Sequence, residues 1–152
     1  MHVNNQLAED LPDDRFITAF MGYLDPVSHE VNYHSGGQGP ILHFRAAGEI
    51  CDWYKPTNFP VGIMELDDQQ VSANLQLDSG DILALISDGV YEYANEQGEE
   101  FGEARVAEVL RANHHLSMAE LTENLVGAVK EFGGEAPQAD DITLVLVRRL
   151  PD

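Results

Sequence analysis

Residues 81–88 read DILALISD and residues 139–147 read ADDITLVLV. The first stretch is continuously apolar from Ile82 to Ile86 and stops at Ser87-Asp88-Gly89, the pattern of a central strand buried on both faces and closed by a turn. The second opens on Asp140-Asp141 and runs on as an apolar strand from Ile142 to Leu150. Each stretch sets an acidic residue at a strand end. If the two strands are antiparallel neighbours, the end of one lies beside the start of the other, and carboxylates far apart in sequence meet. Such carboxylates raise each other's pKa unless a cation neutralises them, and Mg²⁺ or Mn²⁺, which prefer oxygen donors and keep waters, suit the pair. Asp88 and Asp140 are therefore the candidate metal ligands, with Gly89 and Asp141 supporting them from behind. An isolated Asp-Gly or Asp-Asp pair is ordinarily only a turn or a solvated start of a strand, so the context of the two stretches carries the weight.

Upstream, FITAFMGYL (Phe16–Leu24) is rich in β-branched and aromatic residues and ends at Asp25-Pro26, which predicts a buried strand. EVNYH (Glu30–His34), the glycine-rich turn SGGQGP (Ser35–Pro40) and ILHFRA (Ile41–Ala46) extend it into an expected antiparallel meander. A further element is expected over Cys51–Tyr54, before a surface loop KPTNFPVGI. VSANLQL (Val71–Leu77) alternates with period two and, through Asp78-Ser79-Gly80, predicts a hairpin with the apolar strand that follows. Between the two acidic stretches lie two predicted helices. Val106, Val109 and Leu110 mark one over Ala104–Ala112, with Glu103 near its start. The other begins at Ser117, which forms a capping box with Glu120, carries Leu121, Leu125, Val126 and Val129 on one stripe, and stops at Gly133-Gly134. The predicted class is α+β.

The chain has 152 residues and 43% hydrophobic content, enough for a single domain over 1–152. Its 27 acidic against 8 basic residues give a charge of -19, which argues against a nucleic-acid partner. Most of that acidity, including Glu96–Glu103, reads as solvated surface. No run approaches the roughly 18 apolar residues of a membrane-spanning helix. MHVNNQLAED is unlike a signal peptide, so a cytoplasmic location is the expectation and no membrane partner is implied. Cys51 is the single cysteine, which excludes an internal disulfide and suits a reducing compartment.

The order ISDGVYEYANEQGEEFG, two helices, then ADDITLVLV resembles the metal-dependent type 2C (PPM) protein serine/threonine phosphatases, in particular their bacterial SpoIIE/RsbU-like branch. RFITAFMGYLDPVSHEVNYHSGGQGPILHF and PVGIMELDD extend the likeness over nearly the whole chain. The resemblance implies a β-sandwich flanked by helices and metal-assisted hydrolysis of phosphoserine or phosphothreonine on a protein, with no covalent enzyme intermediate. It implies that Asp88 and Asp140 bind Mn²⁺ or Mg²⁺, binuclear in the intact domain, and that the substrate is a phosphorylated regulatory protein such as an anti-anti-sigma factor. The family's earlier Asp-Gly motif belongs upstream of FITAF and has no counterpart in residues 1–15, where MHVNNQLAEDL resembles the end of the preceding helix. The expectation is thus a C-terminal portion of the domain. Missing upstream strands would expose edges and predict a homodimer or exchange of elements between copies.

The family usually has Ala-Gly-His-x-Pro where this chain reads SGGQGP, so Gln38 stands in the place of the histidine. That departure motivates an alternative, a non-catalytic partner-binding module of the same fold; an unrelated acidic interaction domain would leave the paired motifs unexplained. Surface positions are expected for His43, His114 and His115. Cys51 is expected to be a small buried hydrophobe, Trp53 and Tyr54 packing residues, and Phe101-Gly102 a packing turn.

Overall fold

In the computed structural model, residues 2–12, 14–66 and 71–151 are described. The elements are α1 (His2–Asp10), β1 (Ala19–Leu24), β2 (Glu30–Gly36), β3 (Ile41–Arg45), β4 (Ile50–Tyr54), β5 (Ala73–Gln76), β6 (Ile82–Ile86), α2 (Asp88–Tyr91), α3 (Gly102–Asn113), α4 (Met118–Gly133) and β7 (Leu144–Arg148). They fall into two compact units, one of residues up to Pro40 with Tyr54–Leu77, the other of Ile41–Trp53 with the residues from Asp78 onward. Asp67 and Asp68, which end the PVGIMELDD stretch, lie outside the described residues.

The first unit carries a three-stranded sheet in the order β1-β2-β5, with both pairings antiparallel. Val31, Tyr33 and Leu75 are buried on one face. Contrary to expectation, β1 is not a buried strand: it starts at Ala19, Met21 is 76% exposed and Tyr23 70% exposed. Its β-propensity is satisfied by the ladder with β2, and Phe20 stacks on Tyr33 with ring centroids 5.1 Å apart. Beneath α1 a cavity of about 420 Å³ is lined by apolar groups of Val3, Leu7, Ile17, Met21, Phe59 and Leu66.

The second unit holds a four-stranded sheet in the order β4-β3-β6-β7. β6 lies at its centre, antiparallel to both β3 and β7, and Ile82, Leu83, Ala84 and Ile86 are buried. Leu42, Phe44, Ile82, Ala84 and Ile86 form a core with Val106 and Leu110 of α3 and Leu121, Leu125 and Val129 of α4. Burying each such large side chain contributes roughly 1.5–3 kcal/mol. Arg148 of β7 fastens the α3–α4 connection by donating from Nη2 to the carbonyls of His114 and Leu116.

Two predicted connections are corrected. β2 and β3 are not successive strands of one meander, because β2 pairs with β1 and β5 whereas β3 pairs with β6. The Gly36-Gly37 turn, with Gly37 at φ 72°, carries the chain out of one sheet and into the other. β5 and β6 likewise make no hairpin; the Asp78–Asp81 turn is held by Asp81, whose Oδ2 accepts from the Asp78 N–H at 3.0 Å. Period-two alternation specifies a strand but not its partner.

α4 matches its prediction. The Ser117 hydroxyl accepts from the Glu120 N–H at 3.2 Å, and Glu120 Oε2 accepts from the Ser117 N–H at 3.0 Å. The Ser117 hydroxyl also donates to Glu120 Oε2 at 2.7 Å, and this bond, followed by that from the Ser117 N–H, holds the Glu120 carboxyl below its ordinary range, so the cap weakens as pH falls through the glutamate range. Ser117→Ala should lower stability by about 1 kcal/mol, read from the shift in urea midpoint at unchanged slope.

Candidate functional site

The β6–β7 register pairs Ile86 with Leu144, and the ladder ends there. Immediately beyond it, Ser87-Asp88-Gly89 on one side faces Asp140–Thr143 on the other. The Ser87 N–H donates to the Thr143 carbonyl at 3.0 Å. A Cβ built on Gly89 would lie 2.3 Å from the Asp141 carbonyl oxygen, so the two backbones are in direct contact. Asp88 opens α2, a single helical turn in place of the expected plain turn, and its exposed carboxylate accepts from the Gly89 N–H at 2.9 Å. Asp140, also exposed, accepts from the Asp141 N–H at 2.7 Å. In each carboxylate Oδ1 is thus oriented by the following peptide while Oδ2 has no such bond. This matched arrangement presents hard oxygen donors of the kind a divalent cation takes. Among the described residues no group of three or more His, Cys, Asp or Glu is gathered to hold a metal ion. Asp88 and Asp140 are thus two oxygen donors on adjoining segments, without a third such residue gathered beside them among the described residues.

The remaining candidates are dispersed. His43, expected at the surface, is 4% exposed on β3, with Nε2 2.8 Å from Asp81 Oδ2. A histidine on a central strand must find a buried partner, and Asp81, across a turn not read as a hydrogen-bonding element, supplies one. His114 is half-buried, its ring tilted against Phe44 with centroids 5.1 Å apart, and His115 is exposed. Cys51 is half-buried against the core, and burial pushes its thiol up. Trp53 packs edge-on against Tyr91, and Phe101 edge-on against Phe132 at 5.5 Å, as packing residues should. The residues missed were Ser87 and Thr143, whose hydroxyl and amide join the two motifs; only the strand register reveals them.

The family model for Stage II sporulation protein E (SpoIIE) matches residues 1–150, and the chain belongs to that family. It is 31% identical over 137 residues to Protein IcfG of Synechocystis sp., covering 88% of this chain and 21% of that protein. It is 26% identical over 149 residues to Phosphoserine phosphatase RsbU of Bacillus subtilis, covering 97% of this chain and 43% of that protein. Among solved structures, the SiaA-PP2C domain of Pseudomonas aeruginosa aligns with a TM-score of 0.76 at 25% identity, over 94% of this chain and 56% of that one. The chain thus has the type 2C phosphatase fold, in the expected α+β class, and spans less than half the length of these two curated relatives.

Proposed function

We propose that residues 1–152 are the C-terminal portion of a type 2C-like phosphatase domain that removes phosphate from serine or threonine of a regulatory protein. The observation that supports this reading is that the segments bearing Asp88 and Asp140 adjoin where β6 and β7 end, each aspartate having Oδ1 fixed by the following backbone N–H. A divalent ion bound there, Mn²⁺ or Mg²⁺ given the carboxylate oxygens, would offset negative charge on a phosphoryl group and favour attack by water. The protein's own contribution would be to orient both carboxylates, with Gly89 and Asp141 forming the close backbone contact behind them. Membership in the SpoIIE family and the likeness to RsbU support a phosphoprotein substrate in bacterial signalling, such as an anti-anti-sigma factor, and a cytoplasmic setting. Among the described residues no helix is long and apolar enough to cross a membrane.

The test is Mn²⁺ titration by calorimetry on the chain and on Asp88→Asn with Asp140→Asn, together with hydrolysis of a generic phosphate ester. Binding should vanish in the double variant and any hydrolysis should fall about 10²-fold or more. Binding without hydrolysis would favour the alternative of a non-catalytic module, a reading supported by the pair's lack of a third gathered ligand and by Gln38. No carboxylate-dependent binding would end both metal readings.

The exposed edge strand β1, uncharged from Ala19 to Leu24, also supports association between copies of the chain. Sedimentation velocity should show a concentration-dependent dimer that weakens in Met21→Lys; a monodisperse monomer at all concentrations would rule this out.

A further inference from the structure

Ser87 occupies the N-cap position of α2, where a serine ordinarily turns its hydroxyl onto an N–H of the first helical turn. It makes no such bond. Its Oγ reaches instead to the segment before β7, donating to the Asp141 carbonyl at 3.0 Å and accepting from the Thr143 N–H at 2.9 Å. The β6–β7 ladder has ended at Ile86 and Leu144, so residues 140–143 lie beyond regular strand structure. A hydroxyl can donate and accept at once, and here it serves one carbonyl and one amide of the facing chain. One side chain therefore does the work of a further ladder step.

We propose that the Ser87 hydroxyl is a positioning group for the carboxylate pair, fixing the peptide of Asp88 against that of Asp140-Asp141 so that both carboxylates address the same cation. The inference rests on the reading of Asp88 and Asp140 as metal ligands. Alanine at this position removes both bonds, whereas threonine keeps a hydroxyl that can form them.

The test compares wild type, Ser87→Ala and Ser87→Thr in two measurements. In metal-free protein, exchange of the Thr143 amide hydrogen should accelerate about tenfold in Ser87→Ala relative to core amides of β6, and stay near wild type in Ser87→Thr. In calorimetry, Ser87→Ala should bind Mn²⁺ about tenfold more weakly and Ser87→Thr within about twofold of wild type. Should alanine disturb folding, Ser87→Cys, close in shape but weak in hydrogen bonding, gives the same comparison. Unchanged Thr143 exchange in Ser87→Ala, or an affinity that threonine does not restore, overturns the role of the hydroxyl. Wild-type binding matched by Ser87→Ala overturns that role alone, while absence of Mn²⁺ binding in wild type removes the metal reading and the purpose assigned to the link with it.

Discussion

Truncation of Asp81 to alanine is expected to destabilise the protein by about 3–5 kcal/mol, a large part of the roughly 5–15 kcal/mol that holds a domain folded. The carboxylate is 1% exposed and serves three groups at once. Oδ2 lies 2.8 Å from His43 Nε2 and accepts from the Asp78 N–H at 3.0 Å, and Oδ1 accepts from the Ala46 N–H at 2.9 Å. Alanine would leave a buried imidazole and two backbone donors without their acceptor, and desolvated donors are costly because water cannot replace the lost bond. Asp81→Asn should cost less, since one amide oxygen remains an acceptor. His43→Leu should also cost less than Asp81→Ala, because the carboxylate keeps its two backbone bonds. Urea unfolding of the three variants at neutral pH gives the order; a loss below 1 kcal/mol in Asp81→Ala would mean that water reaches the carboxylate and that the pair is not a structural anchor.

Asp81 also shows what the sequence did not disclose. In DSGD it reads as one more turn residue, and His43 in ILHFR as one more polar position on a strand. Only the pairing of Leu42 with Ala84 and of Phe44 with Ile82, which sets β3 against β6, brings the two together. What local chemistry dictates was legible: the apolar run that becomes β6, the Ser117–Glu120 capping box, and the acidic ends of the two strands that meet. What depends on the choice of partner was not. β2 and β3 carry patterns compatible with a continuous meander, and nothing in SGGQGP announces that the chain changes sheets. The exposure of Met21 and Tyr23 was illegible for the same reason, since a hydrophobic strand reports its propensity and not what covers it. Ser87 was hidden because Ser87-Asp88-Gly89 reads as a plain turn closing a strand, and which backbone its hydroxyl meets depends on the β6–β7 pairing.

Gly89 supplies the second large effect, and it links stability to the candidate site. A Cβ at this position would stand 2.3 Å from the Asp141 carbonyl oxygen, 2.9 Å from the Asp141 carbonyl carbon and 3.4 Å from that of Asp140. All three are backbone atoms, so no side-chain rotation relieves the clash; either the first turn of α2 or the segment leading into β7 must move. Overpacking of this kind costs about 1–3 kcal/mol. The displaced segments are the ones that carry Asp88 and Asp140, so Gly89→Ala should lose Mn²⁺ affinity along with stability. Gly127→Ala is the control: in the middle of α4 its added Cβ meets nothing within 4 Å, and it should gain up to about 1 kcal/mol with affinity unchanged. Asp88→Asn is the complementary case, expected to lose affinity while the exposed side chain leaves stability nearly unaltered. If Gly89→Ala is destabilised yet binds Mn²⁺ as wild type does, the close contact between the two strand ends serves the fold alone, and the carboxylates do not depend on it for their geometry.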